Sequence, residues 1–432
     1  MVDVTVGIDM GTTSVKAVAA DGDGRVVASL RMPHRTLVPA PDRLEHDADK
    51  VWRRAPLRAL AALDQPRVRG VSVVGMVPSL TAVDGRGRPR TPGLLYGDGR
   101  GRHGGARHDA DGFLRWTAAA SPGAHGYWPA QAVANHSLSG EAVVDTGVAA
   151  SSSPVFDLRA WRWDADVLAA AGAALGQVPR VGGMGEAVGR VGDAVLDSGG
   201  VDAMAELLVS GATGAGDVLV LLGTTLIVWA VSTEWREVPG LDTFPHVGAA
   251  GKTLIGGPSN AGGLFLGWAT RLLGRPREAL DPHAVPVWSP WPRGERAPVH
   301  DPNRRAGLHG LDLSHGPAAA RRAAYEASGF VARRLIELTG VPARRVVVTG
   351  GGTAVDDWVQ ALADAIALPC ELVAVPQGAA LGAAFLARMA AGLETSTGDG
   401  ARWARTARRV EPDARWAEPV AGRYRRFLQL CT

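Results

Sequence analysis

Cysteine, lysine and long apolar runs are all scarce in this sequence. The two cysteines, Cys370 and Cys431, are too few for a disulfide framework or a cysteine-rich metal site, and they favour a reducing compartment. No stretch reaches the roughly 20 consecutive apolar residues of a membrane span, so we expect no membrane partner. Lysine occurs only at Lys16, Lys50 and Lys252, a bias towards arginine that indicates coding preference and not function.

A large excess of one charge is missing as well. The chain has 46 lysine and arginine residues against 43 aspartate and glutamate residues, a formal net charge of +3. Because the basic residues are scattered and form no stripe, we expect no nucleic-acid partner. The first residues contain no basic segment and no small-residue cleavage site, which predicts a cytoplasmic protein.

Apolar residues are plentiful enough for two hydrophobic cores. The chain has 432 residues, 46% of them hydrophobic, and suits two domains of similar size. Strand-like and helix-like segments are mixed along it, which predicts the α/β class. We place the domains at residues 1–212 and 213–432, with the boundary in the glycine-rich segment 210–216.

A strand pattern near the start of the chain returns in its second half. Residues 2–29, VDVTVGIDMGTTSVKAVAADGDGRVVAS, predict an antiparallel meander from their alternation and their glycine turns. Residues 217–232, DVLVLLGTTLIVWAVS, predict another hairpin around a second Gly-Thr-Thr turn. This internal repeat indicates two related halves.

Other segments add strands and helices around these hairpins. Residues 68–76 predict a strand, and residues 99–126, rich in Gly, Arg and His with weak periodicity, predict an irregular loop. The apolar spacing of residues 317–339 predicts a helix that ends at Gly340, followed by a buried strand. A further helix is predicted at 356–366.

The first glycine turn holds residues suited to phosphate binding. Phosphoryl transfer needs donors around the phosphates, a carboxylate for Mg²⁺ and a base for the attacking hydroxyl. Gly11 allows a sharp turn of the backbone against a phosphate. Thr12, Thr13 and Ser14 add hydroxyl and amide donors. A plain hairpin with a glycine turn is the alternative interpretation.

Two charged residues flank this turn. Asp9 ends the first predicted strand, where its carboxylate can reach a hydrated Mg²⁺. Lys16 adds a positive charge nearby. We therefore predict Asp9 as the metal-binding residue and Lys16 as a phosphate-binding residue.

The second hairpin and a later glycine run extend the pattern. Gly223, Thr224 and Thr225 repeat the first turn and are predicted to bind the phosphates from the other domain, although one such turn alone is weak support. Residues 350–352 lie between a buried strand and a helix, where absent side chains let a base or ribose approach the backbone. A tight strand-to-helix turn is the alternative reading of the three residues, Gly350, Gly351 and Gly352.

These three motifs in this order resemble the FGGY family of carbohydrate kinases, within the sugar kinase, Hsp70 and actin superfamily. Further similar stretches are LEHDADKVW, PGLLYGDGR, PRGERAPVHDPNRRAGLHGL and QGAALGAAFLA, so the likeness covers nearly the whole chain. It implies two ribonuclease H-like, actin-like ATPase domains with an interdomain cleft. The first would bind the sugar and carry the first phosphate hairpin, and the second would carry the other hairpin and the adenosine motif.

The resemblance implies a reaction and its participants. ATP and Mg²⁺ would be the cofactors, and the γ-phosphoryl group would pass to a hydroxyl of a small sugar or polyol, such as a ketose, polyol or cyclitol. In the family an Asp stands at the head of a helix before the second hairpin, and Asp202 in SGGVDAMAELL matches it. Asp202 is therefore the predicted general base, which takes the hydroxyl proton. From the residues alone, an N-cap for the following helix is the alternative.

Other residues match family positions. Asp98 and Arg100 in YGDGR match positions that line the sugar pocket; otherwise they form an ordinary turn pair. Asp356 is placed either near the ATP adenine and ribose or at a helix N-cap. A homodimer is left open.

The sequence departs from the family pattern in two places. Xylulokinase-like members carry a Met-His pair that touches the sugar, where this chain has Val77 and Pro78, which weakens D-xylulose as the substrate. The first domain is also shortened, and Gln131 stands near the place where a Lys is expected. A catalytically reduced, sugar- or nucleotide-binding regulator is the alternative function, against which the presence of Asp9 and Asp202 argues. An Hsp70-like ATPase fits less well, because the peptide-binding region is missing.

Overall fold

The chain folds into two compact units. The computed structural model describes residues 3–431 except residues 107, 275, 277, 375 and 376. The first unit comprises Met1–Val209 and Gln377–Trp403, and the second comprises Ser210–Pro376 and Ala404–Thr432.

Strands and helices alternate through both units. The strands are β1 Val4–Met10, β2 Ser14–Ala20, β3 Val26–Pro33, β4 Glu45–His46, β5 Val68–Gly75, β6 Ser79–Val83, β7 Gly93–Leu95, β8 Gly126–Trp128, β9 Val143–Asp145, β10 Phe156–Asp157, β11 Arg162–Trp163, β12 Arg180–Gly182, β13 Ala187–Val191, β14 Ala194–Asp197, β15 Gly200–Val201, β16 Asp217–Leu222, β17 Leu226–Ser232, β18 Asp242–Pro245, β19 Thr253–Ser259, β20 Val287–Ser289, β21 Gly307–His309, β22 Arg345–Thr349, β23 Cys370–Val373 and β24 Thr406–Val410. The α-helices are α1 Ala55–Leu63, α2 Asp109–Ala120, α3 Ala130–Ser139, α4 Thr146–Ala150, α5 Ala165–Ala170, α6 Asp202–Leu208, α7 Gly263–Leu273, α8 Pro317–Thr339, α9 Asp356–Ile366, α10 Gly378–Ala390 and α11 Ala414–Leu430.

Each unit is built on one mixed sheet, and the two sheets share a plan. In the first, β1 pairs antiparallel with β2, β2 antiparallel with β3, and β1 parallel with β5. In the second, β16 pairs antiparallel with β17, β17 antiparallel with β19, and β16 parallel with β22. The predicted meander, the second hairpin and the repeat that relates the two halves are all found. The structure is thus an α/β protein of two similar units.

Apolar residues of each sheet are buried against helices. The core of the first unit includes Ile8 and Trp52, and that of the second includes Val220 and Phe330. Helix α8 ends where the sequence predicts, because Gly340 adopts a φ of 63° and its N–H donates to the carbonyl of Glu337. Among the described residues, no helix combines the length and hydropathy needed to cross a lipid bilayer.

Helix α10 packs in the first unit, whereas the sequence division placed residues 377–403 with the second half. The packing is close: a Cβ at Gly7 of β1 would stand 1.9 Å from the carbonyl oxygen of Ala380. A Cβ at Gly382 would stand 1.8 Å from the carbonyl oxygen of Ala205 in α6. The helix therefore fits between β1 and α6 only because both positions lack a side chain.

The prediction of an irregular loop over residues 99–126 is wrong. That segment contains a 3₁₀ turn, Gly99–Gly105, and the three-turn helix α2, which buries Phe113 and Leu114. Gly112 lowers the helical appearance of the sequence, but it is required, since a Cβ there would lie 1.8 Å from the carbonyl oxygen of Gly101. A close contact between backbones, invisible in the sequence, explains the error.

The contact between β1 and α10 predicts the effect of a single methyl group. Gly7→Ala would force the strand and the helix apart, so we expect the free energy of unfolding to fall by about 2 kcal/mol or more. Chemical denaturation checks this value. Gly176→Ala is the matched control, because a Cβ at Gly176 meets nothing within 4 Å. Equal stability of the two variants would contradict the packing argument.

Candidate active site

The first glycine turn joins β1 to β2, and its backbone is held by side chains that are partly or fully buried. The N–H of Gly11 donates to the carbonyl of Ser14 at 3.1 Å, which closes the turn. The carbonyl oxygen of Gly11 lies 3.1 Å from Nε2 of His34, and the backbone N–H of His34 donates to the carbonyl of Thr13. Burial lowers the pKa of His34, which favours its neutral form.

The carbonyl of Thr12 is held by two further side chains. Thr36 Oγ1 donates to it at 2.6 Å, and His46 Nε2 lies 2.8 Å from it. Burial lowers the pKa of His46 to about 4, so its imidazole is neutral at physiological pH. Because His46 Nδ1 accepts from Trp52 Nε1 at 3.0 Å, the proton is on Nε2, which donates to Thr12.

The backbone amides of this turn differ from its carbonyls in their hydrogen bonding. Among the described residues, none accepts a hydrogen bond from the backbone N–H of Thr12 or Thr13. Thr13 is exposed, whereas the hydroxyl of Thr12 is 2.8 Å from that of Tyr96 and Ser14 is buried. The turn therefore offers backbone donors and the Thr13 side chain, and less of the Thr12 and Ser14 hydroxyls than the sequence predicts.

Asp9 and Lys16 face each other across the hairpin. They are paired in the register of β1 and β2, and Lys16 Nζ lies 3.1 Å from Asp9 Oδ2. The Asp9 carboxylate raises the pKa of Lys16 against the opposing effect of burial, and Glu206 and Asp202 add to the rise. The second oxygen of Asp9, Oδ1, is buried without a hydrogen-bond partner among the described residues.

Asp202 is the first residue of α6, close enough to Lys16 to affect its titration. Its Oδ1 accepts from the N–H of Ala203 at 2.7 Å. The N-cap position belongs to Val201, and no side chain caps this helix, so the capping alternative does not describe Asp202. Within one unit the structure thus brings Asp9, Lys16 and Asp202 together.

Glu206 completes this group and was not predicted from the sequence. It lies one turn after Asp202 on α6, is 6% exposed, and also contributes to the raised pKa of Lys16. A Cβ at Gly378, the first residue of α10, would stand 2.6 Å from Glu206 Oε1. The spacing of four residues in DAMAE was the available signal, since positions i and i+4 share a helix face.

Asp98 and Arg100 form a buried ion pair. Asp98 is fully buried; it accepts from Arg100 Nε at 2.8 Å and from the N–H of Leu44 at 2.5 Å. Arg100 also reaches Glu45 Oε2 at 2.6 Å and stacks on Trp116. Both carboxylate oxygens of Asp98 are therefore engaged by the protein, and direct contact of this pair with a sugar stays a prediction.

Val77 and Pro78 follow the end of β5 and are joined by a cis peptide bond. Both are partly exposed. Pro78 lines a small pocket together with the apolar side chains of Phe113 and Leu114 of α2. Since Gly75 pairs with Val201, this segment leaves the sheet beside the strand that leads to Asp202.

The second glycine turn lies in the second unit and repeats the pattern of the first. The N–H of Gly223 donates to the carbonyl of Thr225, and the carbonyls of Gly223 and Thr224 accept from the amides of Gly263 and Leu264. No described residue accepts from the N–H of Thr224 or Thr225. The start of α7, which was not predicted from the sequence to contribute, thus supports this turn.

The glycine run after β22 lies next to the second turn. A Cβ at Gly350, whose φ is +91°, would stand 2.8 Å from the carbonyl oxygen of Leu222, and a Cβ at Gly352 would clash with Trp358. Gly351 is exposed and meets nothing within 4 Å. The tight-turn interpretation accounts for Gly350 and Gly352, which leaves Gly351 as the position open to a ligand.

Asp356 is the first residue of α9. Its side chain is 80% exposed and pairs with Arg408. It is not the N-cap, a position occupied by Val355. Its proximity to a nucleotide stays a prediction.

The residues around Asp9 can be compared with the needs of Mg²⁺. The described part of the chain contains no group of three or more His, Cys, Asp or Glu that could hold a metal ion. Mg²⁺ in nucleotide enzymes is usually held by one or two carboxylates together with water and phosphate oxygens. The unpartnered buried oxygen Asp9 Oδ1 fits that need.

Two further carboxylates are buried behind the strand that leads to Asp202. Burial raises the pKa of Asp197 to about 7, and Asp145 adds to the rise while Ser72 opposes it. Burial likewise raises the pKa of Asp145 to about 6. Both carboxyls are therefore partly protonated near neutral pH.

Comparisons with known proteins bear on this arrangement. The model described as "FGGY family of carbohydrate kinases, N-terminal domain" matches residues 4–104, and its C-terminal counterpart matches residues 219–391. The chain belongs to the FGGY family. It is a carbohydrate kinase with the two-domain, actin-like ATPase fold of that family.

Curated relatives of this FGGY kinase are similar over most of their length. A xylulose kinase of Klebsiella pneumoniae is 26% identical, with 89% of each chain covered. A gluconokinase of Bacillus subtilis is 23% identical over 91% of this chain and 88% of its own. A glycerol kinase of Rhodospirillum rubrum is 27% identical, with 92% of each covered. These relatives act on different acceptors, so the likeness fixes the family and not the acceptor.

Solved structures agree on the fold. A xylulose kinase from Rhodospirillum rubrum superposes with a TM-score of 0.78 at 26% identity, covering 99% of this chain and 98% of that chain. A gluconate kinase from Lactobacillus acidophilus superposes with a TM-score of 0.83 at 20% identity, covering 100% and 98%. The second likeness is one of fold alone.

The buried carboxylates predict how stability depends on pH. Their pKa values in the folded chain exceed the ordinary value of 3.8, so between about pH 4 and 7 the folded state binds more protons than the unfolded state. This contribution to the free energy of unfolding is complete below about pH 4 and is lost as the pH rises through 6 and 7. Denaturant unfolding at pH 5, 6, 7 and 8 measures it.

Asp197→Asn is the control for that measurement. It keeps the shape of the side chain but cannot ionise, so the loss of stability between pH 5 and 8 should be smaller in the variant than in the parent. An identical pH dependence in both proteins would show that Asp197 does not titrate in this range.

Proposed function

We propose that this FGGY kinase transfers the γ-phosphoryl group of ATP to a hydroxyl of a ketose, polyol or cyclitol, with Asp202 as general base and Mg²⁺ as cofactor. The observation that carries the proposal is the state of the two glycine turns. In each, the carbonyls accept hydrogen bonds from the protein while two consecutive amides have no acceptor among the described residues. Backbone amides presented in this way suit the oxygen atoms of a phosphate.

The charges of the first unit support the same reaction. Lys16 keeps its proton because Asp9, Glu206 and Asp202 surround it, and burial does not outweigh them. A cation fixed beside the first turn would stabilise negative charge on the transferring phosphoryl group. Lys16 and the amides of Thr12 and Thr13 are the proposed phosphate contacts in this unit, with Gly11 and Ser14 shaping the turn. In the second unit the proposed contacts are Gly223, Thr224, Thr225 and Gly351, with Gly350 and Gly352 shaping the adjacent turn and Asp356 near the nucleoside.

The base is proposed from position and chemistry. Asp202 begins a helix whose other first-turn groups are apolar, and it is partly exposed. Val77 and Pro78 follow β5, whose last residue, Gly75, pairs with Val201. Since Val201 precedes Asp202, an acceptor bound to the Val77–Pro78 segment would present a hydroxyl near Asp202. As the hydroxyl oxygen attacks phosphorus, the carboxylate takes its proton. Asp98 and Arg100 are proposed to hold the wall of the acceptor site.

Asp9 is the residue proposed to hold Mg²⁺, through Oδ1 or through a water bound to it. The ion would supply positive charge to the phosphate oxygens. Asp9 itself orients Lys16 through its other oxygen, Oδ2. The proposed cytoplasmic location and homodimeric state do not bear on the phosphoryl transfer.

Asp202→Asn tests the base. The amide cannot take a proton, so we expect acceptor-dependent kcat to fall by about 10²- to 10⁴-fold with little change in the KM for ATP. ADP release with Mg-ATP, measured against a panel of pentuloses, hexuloses, polyols and cyclitols, gives both constants. An activity equal to that of the parent would remove Asp202 from the mechanism.

Asp164→Asn is the matched control for that variant. Asp164 also stands at a helix start in the first unit, where it caps α5 through the amides of Asp166 and Val167. Asparagine caps a helix as well as aspartate, so this variant should keep the parent activity. Nucleotide binding by the parent without turnover on any acceptor would favour the regulator over the kinase.

Asp9→Asn tests the metal contact. Removing one charged oxygen should raise the Mg²⁺ concentration needed for the half-maximal rate by about 10- to 100-fold. Titration of the rate with Mg²⁺ at saturating ATP measures this shift. Asp3→Asn is the control, since Asp3 lies just before the other end of the same strand and pairs with Arg69. An unchanged requirement for Mg²⁺ in Asp9→Asn would place the ion elsewhere.

A further inference from the structure

The segment that leads to Asp202 is irregular and is held by buried polar side chains. It runs from Asp197, at the end of β14, through Gly199, whose φ is +89°, to the two-residue strand β15. A Cβ at Gly199 would lie 2.7 Å from the carbonyl oxygen of Val73. The segment therefore lies tightly against β5, although only two of its residues pair with that strand.

Helix α3 holds this segment through two amide side chains. Gln131 and Asn135 are four residues apart, so they share a face of the helix, and both are fully buried. Asn135 Nδ2 donates to the carbonyl of Ser198 at 2.9 Å and to that of Val143 at 3.0 Å. Since carbonyl oxygens only accept, the amide nitrogen must be the atom that faces them.

Gln131 makes the corresponding bridge one turn earlier on the helix. Its Nε2 donates to the carbonyl of Gly75 at 2.9 Å and to that of Gly200 at 3.3 Å. Gly75 ends β5 and is followed, one residue later, by Val77 and Pro78. Gly200 stands two residues before Asp202.

A third side chain holds the amide between the two bridged carbonyls. Asp197 Oδ2 accepts from the N–H of Gly199 at 3.2 Å and from the hydroxyl of Ser72 at 2.6 Å. The backbone of each residue from Ser198 to Gly200 is thus held by a buried side chain. Of these side chains, Gln131 is the one that bonds the carbonyl of Gly75, and its two bonds add to the pairing of Gly200 and Val201 with β5.

We infer that Gln131 is a positioning residue for phosphoryl transfer: it bridges the carbonyls of Gly75 and Gly200 and, together with the pairing of Val201 and Gly75, fixes the distance between Asp202 and the Val77–Pro78 segment. This inference rests on the proposed function, in which Asp202 takes the proton and the Val77–Pro78 segment binds the acceptor. Its carbonyl oxygen Oε1 is buried without a hydrogen-bond partner among the described residues. The two hydrogen bonds that its amide nitrogen donates offset the cost of burying this unpaired oxygen.

The bridge matters because a base must stand within hydrogen-bond reach of the hydroxyl it serves. A displacement of about 1 Å at such a distance can lower the rate by about 10²-fold. Gln131 touches neither of the groups proposed to react, so its loss should act on the chemical step and leave nucleotide binding nearly unchanged.

The test compares Gln131→Met with Gln131→Glu and with Tyr127→Phe. Methionine keeps the length of the side chain without a donor, and we expect kcat to fall about 10- to 100-fold while the KM for ATP changes less than about threefold. Tyr127→Phe is the control because it removes one buried donor, the hydroxyl that bonds the carbonyl of Ser121, in the same unit. It should lower stability by a similar amount and leave kcat within about threefold of the parent.

Glutamate separates the loss of a donor from a general structural effect. An ionised carboxylate can donate to neither carbonyl, whereas a protonated one has a single O–H and can donate to one of them. Gln131→Glu should therefore gain activity relative to the parent as the pH falls from 8 to 6, and this comparison does not need a folded Gln131→Met. A constant ratio of the Gln131→Glu activity to the parent activity, or a kcat of Gln131→Met within threefold of the Tyr127→Phe value, would overturn the inference.

Hydrogen exchange supplies a readout that does not depend on turnover. The backbone amides of residues 198–206 should exchange faster in Gln131→Met than in the parent and in Tyr127→Phe, while those of the turn at residues 11–14 should not change. If the parent phosphorylates no acceptor, the proposed function fails while this measurement still decides the role of Gln131. Unchanged exchange over 198–206 would overturn it.

Discussion

The backbone of a glycine turn has as many acceptors as donors, and this structure satisfies the acceptors from within the protein. At the first turn the carbonyls of residues 11 to 13 are bonded by two histidines and a threonine, and at the second they are bonded by the start of α7 and by the turn itself. What is left at the surface is a local excess of N–H groups. Such an excess is favourable only where an anion or water answers it. The neutral state of His46 is part of this condition, since its Nδ1 must accept from Trp52 for its Nε2 to donate to the turn.

The charged side chains that act on Lys16 in the first unit are acidic, in contrast to the N–H donors of the turn. Three carboxylates, those of Asp9, Asp202 and Glu206, act on the single ammonium of Lys16. A nucleotide's phosphates would add further negative charge beside these carboxylates. A divalent ion beside Asp9 would offset the charge of those phosphates and agrees with the oxygen Asp9 Oδ1, which is unpartnered among the described residues. The backbone amides of the turns therefore suit a phosphate, and the carboxylates suit a metal ion.

Most of the fold could be predicted from the sequence, because its strands and turns follow local rules. The two hairpins carry alternating apolar residues around glycine turns, and α8 has the spacing and the terminal glycine of a helix. Helix α2 could not be recognised, because Gly112 serves a contact with Gly101 that only the folded chain reveals. The site was partly predictable for the same reason. Asp9, Lys16 and Asp202 occur at positions that local patterns predict, and the spacing of Glu206 from Asp202 was a local signal too. His46 and Gln131, in contrast, bond partners that are distant in sequence. Asp98 has the residue type of a sugar ligand, but its oxygens are taken up by Arg100 and Leu44.

The first unit is formed by two separate stretches of the chain, so its core cannot be completed until the second stretch has been synthesised. Helix α10, which fits between β1 and α6, begins at residue 378, after nearly all of the second unit. A ribosome synthesises the amino-terminal sheet long before it synthesises the helix that covers it, so one apolar face stays open while some 170 further residues are added. The second unit can complete most of its sheet in that interval. The part of the protein that is translated first is accordingly the part that finishes folding late, and a fragment that stops near residue 212 would lack a layer of its own core.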